Sequence, residues 1–405
     1  MDVNSTPSEI RTSGSDSNLL ALELHKKYGG KITTVLRDQS TLTRRELSAY
    51  YSPGVGAVSK AIADDPSLLP VYTWTNNLVA VISDGSAVLG LGNLGPEGAM
   101  PVMEGKSLLF KHFAGIDSIP IVLNVHSADG IVRTVEAIAP SFGAINLEDI
   151  AAPICFEVEE RLKASLPIPV MHDDQHGTAV VTLAGLINAC KVTGREFGDL
   201  KIVIVGAGAA GVAIAKLLRD YGHKLYPSDS PDGAAGPRMF AVDSKGIISP
   251  DRSDLNDAKQ RLLEFTNQSG ASGGMADALT GADVFIGVSQ AGLLTPEMVK
   301  TMAKDPIIFG LANPVPEIMP DLAREAGAAV IATGRSDFPN QVNNAIAFPG
   351  IFRGALDNGA KTITDEHKMA AAEVIASLVE DPTADEIVPS VFNDQLVPRV
   401  AEVIK

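Results

Sequence analysis

Apolar positions along this chain switch repeatedly between short continuous runs and helical spacing, and that alternation predicts strands separated by helices. Leu78–Ser83, Ala87–Leu91, Ile119–Val125 and Ala144–Leu147 read as strands, with helices over 97–113, 130–139 and 155–165. A second series opens near residue 178 with a helix over 178–193, the strand Lys201–Val205 and a helix over 209–221. Met239–Val242, Val284–Val288, Ile307–Leu311 and Val330–Thr333 follow as short strands. Strands alternating with helices specify an α/β fold, here of two domains, each a mostly parallel sheet flanked by helices.

Breaks in the pattern divide the chain. Residues 1–17 are rich in Ser, Thr, Asp and Asn and read as a flexible tail. Leu19–Tyr28 is an amphipathic helix that Gly29-Gly30 stops, and Tyr51–Gly56 is a turn. The domain boundary falls between residues 175 and 200, with helix 178–193 as connector, which gives a first domain over 18–177 and a second over 178–405. Residues 365–405 read as helical and are expected to pack back over the first domain. The Pro/Gly/Asp-rich stretch 227–237 reads as a surface insertion.

With 45% hydrophobic and 20% charged residues in 405, the chain has the composition of a soluble globular protein. A net charge of -16 argues against a nucleic-acid partner and means that an anionic substrate needs a local cation. Only Cys155 and Cys190 occur, which is no disulfide framework and suits a reducing cytoplasm. Neither a secretory signal nor an apolar stretch of spanning length is evident, so no membrane partner is expected.

The chemistry concentrates between residues 148 and 178. Glu148-Asp149 ends a strand-like run, and Asp173-Asp174 follows Ile168–Met171 and precedes a helix. Two acidic pairs in apolar sequence need a compensating charge, and a hard divalent cation supplies it. His172 and His176 raise a zinc alternative, which the absence of HExxH and the surrounding oxygen ligands disfavour. Gly206-Ala207-Gly208-Ala209-Ala210-Gly211 follows a strand and opens a helix, the setting in which a Rossmann domain receives a pyrophosphate. A second match, Gly90–Gly95, meets Pro96 and reads as close backbone packing. Asp243, at the end of the next strand, is favoured over Asp229 as the ribose-binding acid; it points to NAD, while Lys245 beside it keeps NADP open. Tyr51 and Lys106 are candidate proton-transfer groups, and Asn313 and Asn344 are neutral amides suited to a carboxylate or carboxamide.

Together these stretches, with Ser83–Gly95, Met103–Lys106, Leu311–Pro316 and Gln341–Gly350, make the chain resemble the malic enzymes of the short bacterial type, from about residue 20 to the C-terminus. The resemblance implies that Glu148, Asp149 and Asp174 ligate Mg²⁺ or Mn²⁺, with Asp173 beside them in the catalytic group. It implies Lys106 as base, Tyr51 as acid, Asn313 and Asn344 near malate and the nicotinamide, and Gly206, Gly208, Ala209, Ala210 and Gly211 on the dinucleotide with Asp243. The implied reaction is NAD- or NADP-dependent oxidative decarboxylation of L-malate to pyruvate and CO₂ by a cytoplasmic homodimer. Oxaloacetate decarboxylation and malolactic-type conversion at the same site are the alternatives, and a dinucleotide-sensing subunit is the rival from another class. One departure stands out: where larger relatives carry an arginine for a substrate carboxylate, this chain has Ser86-Ala87.

Overall fold

In the computed structural model, residues 14–37, 42–227 and 236–405 are described, and residues 14–37 belong to a unit separate from residues 42–405. That first unit carries one helix, Gly14–Tyr28, with Gly29 in the left-handed region at its end. The expected tail lies mostly outside the described residues, as do Asp229 and most of the 227–237 stretch.

The larger unit holds two sheets. The first comprises β1 (Leu78–Ser83), β2 (Asp117–Val122), β3 (Ala144–Leu147) and β4 (Val170–His172), all parallel, in the order β2-β1-β3-β4. Every residue of β1 is buried, which requires both faces to be covered. Leu78, Ala80 and Ile82 turn to one face, under helices Ala128–Ile138 and Ile154–Ser165; Val79 and Val81 turn to the other, where Met103 and Phe110 of helix Gly95–Ala114 pack. Phe110 meets the rings of Phe348 and Phe352 edge-on at 4.8 and 5.2 Å. Each such pair contributes on the order of 1 kcal/mol beyond the burial itself.

The second sheet contains β5 (Lys201–Val205), β6 (Arg238–Asp243), β7 (Gly246–Ile247), β8 (Val284–Gly287), β9 (Ile307–Gly310) and β10 (Val330–Thr333), in the order β10-β9-β8-β5-β6-β7. Only β7 runs antiparallel. β5 pairs with β6 on one side and β8 on the other, so the chain reverses its direction of travel across the sheet there and leaves a crevice above the carboxyl end of β5. Helix Asp173–Thr193 packs along helix Ala209–Leu225 and helix Asp365–Ser377, and its residues join the core shared by the two sheets.

Three expectations need correction. Ala87–Leu91 is not a strand: Gly85 (φ +71) turns the chain across the carboxyl end of β1, Ala87 N–H bonds Asp149 O, and Val88–Gly90 forms a single 3₁₀ turn. The helix expected at 178 begins at Asp173, so both acids of that pair lie in its first turn, where the helix dipole favours negative charge. Residues 365–405 are helical only over Asp365–Ser377 and Leu396–Ala401; Pro382 and Pro389 interrupt the pattern between them. Helix Leu396–Ala401 packs on helix Phe348–Asp357, which in turn reaches helix Gly95–Ala114. In the second glycine match, a Cβ on Gly90 would press on Asn313 O, while just before the match one on Gly85 would overlap Gly95 O, so Gly85 and Gly90 serve close backbone packing.

Asn188, fully buried on the central helix, donates to Ala376 O and Ile387 O, both at 2.9 Å, and so ties the C-terminal segment to the core. Asn188→Ala leaves Ile387 O without a donor and Ala376 O with only the Val379 N–H at 3.3 Å, and should cost about 1–3 kcal/mol, read as a lower urea midpoint.

Candidate functional site

Parallel strands deliver their carboxyl ends to one edge, and the first sheet places its chemistry there. Glu148 and Asp149 follow β3; Asp173 and Asp174 follow β4, its pairing neighbour. One oxygen each from Glu148, Asp149 and Asp174 lies within 4.8 Å of the others. Asp149 holds φ at +53, a strained conformation for a residue with a side chain. Its N–H donates to Asp174 Oδ2 at 2.7 Å, which locks the two loops together.

Lys106, on helix Gly95–Ala114, reaches into this cluster. Its Nζ lies 2.5 Å from Asp173 Oδ2, 3.0 Å from Glu148 Oε1 and 3.2 Å from Asn344 Oδ1, above the Phe348 ring. Burial works against its charge, but Asp173, Glu148 and Asp174 together outweigh that cost and hold its pKa above the ordinary lysine value. Burial pushes the Glu148 and Asp173 carboxyls up, against the pull of Lys106. It takes Asp149 to about 7, with the nearby Asp174 charge adding to the rise. Asp149 Oδ2 and Asp173 Oδ1 are buried without a hydrogen-bond partner. Three converging hard oxygens, one buried carboxylate oxygen left unpartnered, and acids that resist ionising together fit a divalent cation of the Mg²⁺ or Mn²⁺ type.

The histidines do not join the cluster. His172 Nδ1 lies 3.1 Å from the Gln175 amide, and its Nε2 is 3.6 Å from Asp174 Oδ2, too far for a hydrogen bond. His176 Nε2 pairs with Glu159 Oε2 at 2.8 Å, and burial lowers the His176 pKa to about 3. The acidic trio is the only metal-type group among the described residues, so zinc ligation by these imidazoles finds no support.

Several supporting residues had no motif to announce them. Asn146, buried on β3, donates to Glu148 Oε2 at 3.0 Å. Glu159 accepts the His172 N–H and so fixes the end of β4. Glu317 accepts from Ser289 N and Ala312 N, which ties the loops after β8 and β9 beside Asn313. A place between Ile145 and Leu147 in an otherwise apolar run marks Asn146 as a buried polar residue; for Glu159 and Glu317 the sequence carries no comparable signal.

Above β5, Gly206 takes φ +112 and donates to Val242 O. Helix Ala209–Leu225 then starts from Gly208, beside which a Cβ would meet open space. The amides of Ala209 and Ala210 therefore begin a helix beside room for a diphosphate. A Cβ on Gly211 would overlap Gly206 O, so this glycine permits the close loop-to-helix contact. Asp243 ends β6, but its carboxylate is occupied: Arg252 bonds both oxygens, Lys259 takes Oδ2 at 2.6 Å, and Lys245 N–H donates to Oδ1. These partners outweigh burial and hold it down near 2.

Asn344 meets Lys106 directly, and Asn313 lies beside Gly334 on the loop after β9. Tyr51 stands apart. It ends the helix Arg44–Tyr50, is 69% exposed, and its hydroxyl bonds neither Lys106 nor the four carboxylates among the described residues.

Comparison with known proteins agrees with this geometry. The family descriptions "Malic enzyme, N-terminal domain" and "Malic enzyme, NAD binding domain" match residues 29–163 and 175–402. The chain is 53% identical to a bifunctional malic/malolactic enzyme of Bacillus subtilis, over 95% of this chain and 91% of that one. It is 47% identical to an NADP-dependent malic enzyme of Halomonas elongata, over 93% and 86% of the respective chains. A solved NAD-dependent malic enzyme from Thermotoga maritima superposes with a TM-score of 0.89 at 48% identity, covering 95% of this chain and 98% of that one.

Two outcomes follow from the site. Gly211→Ala should weaken dinucleotide binding at least about tenfold, measured by fluorescence titration, because the loop must open to admit the methyl group. The Asp149 carboxyl, raised from its unfolded value to about 7, contributes stability below pH 4 that is lost as pH rises through 7. A bound divalent ion removes that penalty, so the rise in Tm on adding Mn²⁺ to EDTA-treated protein should be larger at pH 8 than at pH 5.5.

Proposed function

The chain belongs to the malic enzyme family, whose members are NAD- or NADP-dependent oxidoreductases acting on malate, and on that premise we propose how its own residues carry out oxidative decarboxylation of L-malate to pyruvate. The observation that carries the proposal is the contact of Lys106 with Asp173, Glu148 and Asn344 beside three converging carboxylates. Residues 18–177 form the substrate and metal domain and 178–405 the dinucleotide domain. Glu148, Asp149 and Asp174 would hold Mg²⁺ or Mn²⁺; Gly206, Gly208, Ala209, Ala210 and Gly211 would hold the diphosphate of the dinucleotide. When bound, the cation would supply stabilisation of negative charge on the C2 oxygen and the nicotinamide a hydride acceptor for C2.

The remaining steps belong to side chains. Lys106 takes the C2 hydroxyl proton, and Asp173 holds the amine in place and shares that proton. Of the two carboxylates that grip the Lys106 ammonium, Glu148 is one a cation would occupy; neutralising it and its neighbours Asp149 and Asp174 loosens the proton and readies the amine as a base. Asn344 and Asn313 orient the substrate and the nicotinamide carboxamide without adding charge. Tyr51 delivers the proton to C3 after CO₂ leaves, an assignment that rests on the resemblance.

Arg252 and Lys259 flank the Asp243 carboxylate and offset the repulsion it would exert on a 2′-phosphate, which supports acceptance of NADP as well as NAD. Exposed apolar side chains over 47–74, among them Leu47, Tyr50, Val58, Tyr72 and Trp74, suit coverage by a second copy in a homodimer. No helix among the described residues is long and apolar enough to cross a membrane, and the two buried free cysteines suit a reducing cytoplasm. The malolactic activity in the name of the Bacillus subtilis relative supports a second product, lactate, formed without net redox.

The test is nicotinamide reduction with L-malate, Mn²⁺ and each nucleotide in turn. Pyruvate should appear in equal amount with reduced nucleotide; lactate without it would favour the second product. Asp174→Ala should abolish Mn²⁺-dependent turnover, and Lys106→Ala should lower kcat by at least about 10²-fold while dinucleotide affinity is kept.

A further inference from the structure

Malate brings two negative charges to a site that is already acidic. Glu148, Asp149, Asp173 and Asp174 outnumber Lys106, and even a divalent ion leaves the cluster net negative. The Asn313 and Asn344 amides add no charge, so the carboxylate remote from the hydroxyl still lacks a cationic partner. Lys106 is committed to Asp173, Glu148 and Asn344. Arg335, on the Asn313 side, is spent on both oxygens of Asp337 and on Pro314 O.

His126 is differently placed. It follows β2, the strand on the far side of β1 from β3, so it lies along the same carboxyl edge as the acidic cluster. Its Nδ1 meets Asp84 Oδ2 at 3.1 Å, and Asp84, at the end of β1, is only 1% exposed. The other Asp84 oxygen accepts from Ser86 Oγ at 2.6 Å and Ser86 N at 3.0 Å, and Ser86 Oγ accepts from Ala151 N at 2.8 Å. A chain of hydrogen bonds running through buried Asp84 thus fixes the imidazole to the loop that carries Asp149. The ring is 49% exposed, and its Nε2 has no partner among the described residues. With Nδ1 turned to Asp84, Nε2 is the ring nitrogen left to meet a substrate oxygen.

We propose that His126, oriented by Asp84, binds the substrate carboxylate remote from the C2 hydroxyl and so selects four-carbon 2-hydroxy diacids over 2-hydroxy monoacids. The Asp84 contact holds the ring over the end of β1, the strand beside β3, so an acid anchored at the acidic cluster by its hydroxyl end presents its far carboxylate toward His126. The inference rests on malate being the substrate, and it extends that reading from the reacting end of the molecule to the other.

The test compares wild type, His126→Ala and His126→Lys in the Mn²⁺-loaded enzyme, with malate as substrate and oxalate as inhibitor. Oxalate presents adjacent carboxylates to the metal end and has no remote group. The expected result is a malate KM raised about tenfold or more in His126→Ala, with a smaller change in kcat and an oxalate Ki within twofold of wild type. His126→Lys should restore most of the malate affinity. An unchanged malate KM overturns the proposal, and so does an equal loss for malate and oxalate, which would mark His126 as a support for the loop. Should His126→Ala fail to fold, His126→Asn takes its place on the same readouts. Wild-type turnover of malate is measured separately: its absence removes the malate reading, whereas a defect confined to the variants speaks only to His126.

Discussion

Four carboxylates held around one lysine are the constraint on which the rest of this molecule turns. Each acid would prefer water, and packed together they repel one another; both effects lift Glu148, Asp149 and Asp173 toward protonation. Lys106 offsets part of that cost through Asp173 and Glu148, and the dipole at the start of helix Asp173–Thr193 offsets some more. What remains is a deficit of positive charge, the feature on which the proposed divalent-cation site rests.

Such a cluster persists only if the surrounding structure leaves it no alternative. Asp149 is held in the left-handed region while its N–H bonds Asp174. Gly177 leaves room for the Asp173 carboxylate, since a Cβ there would overlap Asp173 Oδ1. Asn146 and Glu159 pin the strands from which the acids project. The polar network is thus a continuation of the sheet edge, and its rigidity comes from buried β1, β3 and β4 behind it.

Helix Asp173–Thr193 links the two chemistries. Its first turn carries two of the acids, and further along it packs against helix Ala209–Leu225, whose start faces the dinucleotide loop. Under the proposed assignment, substrate oxygens and the cofactor's diphosphate would be referred to one packed helix pair. The apolar contacts between these helices set the positions from which hydride transfer would have to occur.

Much of this was legible in the chain because period and spacing are local properties. The runs Leu78–Ser83, Ala144–Leu147, Lys201–Val205 and Val330–Thr333 coincide with strands, since short, mostly apolar runs between helices have few other ways to be buried. The glycine loop was readable because only glycine tolerates the positive φ of Gly206 and the tight approach at Gly211. Glu148, Asp149 and Asp174 could be singled out as adjacent acids in apolar sequence, but their convergence within 4.8 Å depends on β3 and β4 being neighbours, which no local pattern encodes. The folded-back turn at Val88–Gly90, the capture of Asp243 by Arg252 and Lys259, and the clasp of His126 by Asp84 were likewise decided by the tertiary structure. In each case the deciding contact joins residues on different elements, and its energy is felt only once the chain has closed around it.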